Sequence, residues 1–122
     1  MVKRADALRM VCPYIRREAT ETVLRGARHT DSVRVLTLWS WPAFATGASD
    51  LDAFEYLESI GAQTRALHGA LHAKVYIADQ SAAVVTSANL SDGGLRGNLE
   101  CGVVLEGPEV APLVQAAQAF VS

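Results

Sequence analysis

The chain has 122 residues, half of them apolar, with 11 lysines and arginines against 13 carboxylates and a formal net charge of −2. That length supports one domain with one core, residues 1–122, and leaves little room for a second. The balanced charge excludes a uniformly basic nucleic-acid coat, though not a local cationic site. Residues 1–6, MVKRAD, lack the apolar stretch of a secretion signal, and no run approaches membrane-spanning length, so a cytoplasmic protein is expected.

Residues 7–15 are a mostly apolar run, expected as a first strand stopped by Pro13. Residues 16–28 follow as an amphipathic helix, with Ile15, Ala19, Val23 and Ala27 recurring every four residues. Arg25 and Arg28 suit the negative end of its dipole. In residues 32–40, SVRVLTLWS, Val33, Val35 and Thr37 alternate with Arg34, Leu36 and Leu38. Both sets are largely apolar, as in a strand sandwiched between helices. Residues 41–47 are expected as a loop, and Ser49-Asp50 as the cap of a helix with Leu51, Phe54, Leu57 and Ile60 as its buried stripe. Gly61 is a natural stop, and residues 63–67 form a short strand.

Beyond the central stretch described next, residues 90–97 carry Gly93, Gly94 and Gly97 and are expected as a flexible connection. Residues 98–105 are expected as a strand with Asn98, Glu100 and Gly102 on one face and Leu99, Cys101, Val103 and Leu105 on the other. Residues 108–121 are expected as a final helix with the stripe Val110, Leu113, Ala117 and Phe120, its start delayed by Pro112. Cys12 and Cys101 both lie in apolar runs, which favours buried free thiols. Alternating helix and strand signals predict the α/β class, a mixed β-sheet flanked by helices on both faces.

Residues 71–89, LHAKVYIADQSAAVVTSAN, carry the chemistry. They are expected as two strands joined by a turn at Asp79-Gln80-Ser81. Alternation puts His72, Lys74 and Tyr76 on one face and Leu71, Ala73, Val75 and Ile77 on an apolar core face. The second strand, residues 82–86, runs into Ser87 and Asn89, which again share a parity. An imidazole, a cation, a hydroxyl and an amide suit an oxyanion of phosphorus or sulfur better than a metal, which would want more His, Cys or carboxylate ligands. The competing readings are a core histidine satisfied by a carbonyl, an edge-strand lysine, and turn chemistry for Ser87 and Asn89.

This segment resembles the phospholipase D superfamily. His72-Ala73-Lys74, four residues and Asp79 fit its HxKxxxxD pattern, Ser87 and Asn89 fall at its GSxN element, and Glu100 falls at its downstream glutamate. The resemblance is strong over residues 63–121 and confined to general layout before that. Thr86 departs from the pattern, standing where a glycine is usual. His72 is then expected to be the nucleophile, giving a phosphohistidine. Lys74, Asn89 and Ser87 are expected to hold the phosphoryl oxygens, and Glu100 to accept from the other ring nitrogen of His72. Parity points Asp79 away from His72, so it is expected to hold the turn by an Asx-type bond.

A histidine attacking phosphorus needs a second group to protonate the leaving oxygen from the other side. The chain holds one HxK, so a homodimer with His72 of both subunits facing across the interface is expected, as the resemblance implies. The alternative is that the chain is half of a longer protein. No metal or cofactor is required. The expected function is a metal-independent phosphodiesterase, foremost a nuclease with nucleic acid as substrate; the pattern also resembles domains attached to helicases and restriction enzymes. The alternatives are a lipid-headgroup phosphodiesterase or transferase, which would need an apolar acyl groove, and a non-catalytic dimerisation or binding module. Trp39 and Trp41 are read as packing residues before base-stacking ones, and His29 and His68 receive no role.

Overall fold

The computed structural model describes residues 6–25, 32–79, 81–87 and 102–121, with the side chains of the last helix described to residue 116. The elements in order are β1 (Leu8–Val11), α1 (Arg17–Leu24), β2 (Val33–Leu38), α2 (Trp41–Thr46), α3 (Leu51–Ser59), β3 (Gln63–Leu67), β4 (Val75–Ala78), β5 (Ala82–Thr86), β6 (Gly102–Glu106) and, after a 3₁₀ turn at Gly107–Val110, α4 (Ala111–Val121). The described strands form one sheet in the order β3-β2-β1-β4-β5-β6. β1, β2 and β3 are mutually parallel, whereas β4, β5 and β6 run antiparallel to their neighbours. The sheet is therefore mixed, with β4 in its interior.

Both faces of the sheet are covered. On one side Leu8, Met10, Val33, Val35 and Tyr76 pack with Ala19 and Leu24 of α1 and Ala53 and Leu57 of α3. On the other, Ile77 and Ala83 pack against Val110 and Val114 of the last turn and helix. Alternation along the strands feeds one set of side chains to each layer, so a strand such as VRVLTL buries nearly everything it carries. The final helix starts where Pro112 permits: the proline occupies its first turn, where a missing amide costs nothing.

Four local expectations are corrected. Residues 41–46 form α2 rather than a loop, because Ser40 Oγ accepts from Ala43 N and Pro42 sits in the first turn. Leu51 is 46% exposed, and the buried positions of α3 are Ala53 and Leu57. The ladder of β4 begins at Val75, so residues 71–74 stand ahead of the paired strand. Tyr76, grouped with His72 and Lys74 on a polar face, is instead a core residue whose hydroxyl contacts Cys12 Sγ at 3.3 Å.

The cap expected from sequence has a second use. Asp50 Oδ1 accepts from Ala53 N at the start of α3 and also from Arg17 N at the start of α1, while Ser49 Oγ accepts from Ile15 N. One short segment thus seats two helices against the same face. Among the described residues no helix is long and apolar enough to cross a membrane.

Candidate active site

The C-terminal ends of the parallel strands β1, β2 and β3 all meet at one edge, where open α/β sheets place their ligands. The segment 71–74 runs along that edge and turns into β4. Its two polar side chains part company in burial. His72 is exposed, whereas Lys74 is 7% exposed. Lys74 Nζ donates to His72 O at 2.9 Å and lies 3.4 Å from His72 Nδ1. The first is a good hydrogen bond; the second sits at the outer limit of one. A ring open to solvent beside a sheltered ammonium is the opposite of a core histidine. Nor is Lys74 a guard on a sheet edge, since β4 is flanked by β1 and β5.

The end of β5 is tied to the same place. Thr86 N donates to Lys74 O at 3.1 Å, so exposed Ser87 stands one residue beyond a backbone position bonded to Lys74. Thr86 takes an ordinary strand conformation, so no positive φ is demanded of it. Its bulk is accommodated across the ladder. Gly102 is its partner in β6, and a Cβ there would come within 2.9 Å of Thr86 Cβ. Asn89 and Glu100 lie outside the described residues.

Asp79 sits at the other end of β4, away from His72. Its φ is 55°, its amide donates to Ala7 O, and its carboxylate accepts from Ala7 N at 2.6 Å. The expected local Asx bond is replaced by a clamp onto the start of β1. The turn itself is closed by Ser81 N bonding Ala78 O. Sequence reading missed this because Ala7 and Asp79 are 72 residues apart and no local pattern reports it.

Beside the segment lies an apolar cleft of about 260 Å³ on the α4 side, lined by Val11, Leu36, Leu67, Leu71, Val75 and Leu113 among others. Leu71 and Ala73 point into it while His72 and Lys74 do not. On the opposite side of β2, Trp39 packs edge-on to Trp41, Phe44 and Phe54, and Trp41 remains 64% exposed. No group of three or more His, Cys, Asp or Glu side chains suited to a metal occurs among the described residues.

Residues 3–119 match the family described as "Cardiolipin synthase, PLD-like domain". The chain belongs to the phospholipase D superfamily. Solved structures agree with that fold. Nuc from Salmonella typhimurium, a phospholipase D family member, superposes with a TM-score of 0.71 at 19% identity, covering 99% of this chain and 84% of its own. NucT from Helicobacter pylori superposes at 0.69 with 15% identity, covering 93% and 77%. No curated protein sequence matches the chain significantly. Membership of the phospholipase D superfamily supports phosphodiesterase chemistry in general, with the substrate left to the site.

Proposed function

We propose that the chain is a metal-independent phosphodiesterase, foremost a nuclease, working through a phosphohistidine at a site shared by two copies. The observation that carries the reading is the pair where the parallel strands end: a sheltered ammonium, with no carboxylate partner among the described residues, touching an exposed imidazole. A cation held out of water without a counter-charge is costly, and that cost is offset when an anion arrives. The neighbouring ring is then placed to attack it.

In this reading His72 Nε2 forms a bond to phosphorus as the P–O bond to the leaving group breaks. His72 of the second copy gives its proton to the departing oxygen. It then takes a proton from water, whose oxygen displaces the histidine and breaks the P–N bond. Lys74 neutralises charge on the equatorial oxygens, with Ser87 and Asn89 donating to them. Glu100 accepts from Nδ1–H, which leaves Nε2 free to attack. The expected outcome in EDTA is that His72→Ala lowers phosphodiester cleavage at least about 10³-fold. Equal rates for the two proteins would falsify the catalytic reading.

The apolar cleft favours a second reading, a phospholipid-headgroup phosphodiesterase or transferase, because such an enzyme needs an acyl groove and this one opens beside the His72 segment. Parallel assays on single-stranded DNA and on anionic phospholipid vesicles separate the two. Activity confined to the vesicles would move the assignment to lipid.

A further inference from the structure

We propose that Arg9 and Arg34 form a second, non-catalytic phosphate-binding site on the α4 side of the sheet. The proposal stands apart from the phosphodiesterase reading, since it uses none of the same residues.

The starting observation is register. β1 and β2 are parallel with Arg9 directly beside Arg34. Neighbouring strands lie about 4.8 Å apart, so two guanidinium stems leave the same face at that spacing. The strands around them are otherwise apolar: Leu8, Met10, Val33 and Val35 fill the opposite face. Ile77, the partner of Arg9 in β4, packs with Val110 and Val114. Like charges set side by side on a sheet repel, and a half-buried pair repels more than an exposed one. Such a pair persists where an anion joins it.

No anion of the chain does so among the described residues. The ion pairs found there join Arg16 to Asp50 and Arg17 to Glu21. The Asp79 carboxylate, at the end of β4, accepts from Ala7 N. Arg9 Nε is shut off from solvent and has no hydrogen-bond partner among the described residues. A buried N–H left unbonded is unfavourable, and an acceptor brought to it is correspondingly favoured. Arg9 and Arg34, together with Ala7 and Ser32, line a recess of about 190 Å³.

The geometry selects the ligand. One guanidinium fork satisfies the two coplanar oxygens of a carboxylate. Two forks from adjacent strands present donors in more than one plane, which suits the tetrahedral oxygens of a phosphate group, and Ser32 adds a hydroxyl at the rim. The recess is large enough to admit a phosphate group. It also lies away from the candidate active site. Arg9 is level with Ile77, three residues along β4 from Lys74 or about 10 Å, and on the opposite face from the layer that holds Tyr76.

The test follows the Arg9 Nε–H resonance of the isotope-labelled full chain while inorganic phosphate is added, with thermal melting in parallel. Saturable movement of that resonance is expected, with a Tm rise of about 5 °C at tenfold excess over Kd. Arg34→Gln and Arg9→Gln should each weaken phosphate binding at least tenfold. Arg25→Gln, which removes the same charge from an exposed site on α1, should leave it unchanged. If Arg9→Gln does not fold, Arg34→Lys serves, keeping the charge and losing the fork, with an expected loss of several-fold. Displacement of bound phosphate by oligothymidylate assigns the site to a nucleic-acid backbone, and its absence assigns it to free phosphate. A resonance that stays still, or equal binding by Arg34→Gln and the native chain, overturns the site.

Discussion

At the scale of single residues, the contact between Lys74 and His72 contains a choice. An ammonium can donate to Nδ1 only when that nitrogen is unprotonated, which puts the ring proton on Nε2. Attack through Nε2 needs the reverse tautomer, with Nδ1–H pointing at an acceptor such as Glu100. The long 3.4 Å contact and the short 2.9 Å bond to His72 O show where Lys74 is held: on the carbonyl, with the ring only nearby. Lys74 is thus placed for a phosphate oxygen without fixing the wrong tautomer. The matching prediction separates function from stability. Lys74→Met keeps the stem and removes a buried charge, so the fold should be as stable as before or about 1 kcal/mol more so. Phosphodiester cleavage should fall about 10²–10³-fold. Urea denaturation and cleavage rates on the same preparation give both numbers, and a parallel loss of stability and rate would make Lys74 merely structural.

Among elements, the close fit is that of β5 on β6. Thr86 ends one strand, and its ladder partner Gly102 lacks the Cβ that would strike it. The pair carries its bulk on one side only. Gly102→Ala should therefore destabilise the fold by about 1–3 kcal/mol. In a Thr86→Gly background the same change should lose part of that penalty, the mark of a coupled pair in a double-mutant cycle, while the 3.1 Å approach to Val85 O remains. Additive costs in urea titrations would show that the two sites do not share the space. Neither residue's reason is visible alone, since the register between strands 15 residues apart in sequence is not written in either one. What could be read were the local signals. Strands 63–67 and 82–86 fall where alternation and turns put them, and Asp50 and Gly61 bound α3 as their chemistry predicts. α2 was missed because Trp41-Pro42 looks like a break, although Ser40 before a first-turn proline is itself a helix start. The spacing of His72 and Lys74 was legible because it is local. The Asp79 clamp on Ala7 and the Arg9–Arg34 pair were not, because each is made only when distant strands meet.

For the whole molecule, the proposed function turns on whether one HxK is completed by a second copy. The end of the sheet that carries His72 and Lys74 is bordered by apolar surface that the described part of one copy leaves open: Val104, paired with Val84 on the face that holds Tyr76, is 60% exposed. It lies two positions inside the Thr86–Gly102 rung that bonds Lys74, so a second copy docked there would bring its own His72 toward the first. A shared site has a stoichiometric signature that a self-contained one lacks. Co-refolding equal amounts of native chain and His72→Ala gives about one quarter native homodimers, one half mixed dimers and one quarter mutant homodimers, if pairing is random. Where each reaction needs both histidines, mixed dimers are dead and activity per total protein falls to about one quarter of the native value. Where each chain works alone, it falls only to about one half. Sedimentation of the same mixture establishes that dimers formed, so a value near one half with dimers present would separate association from catalysis and remove the second histidine from the mechanism.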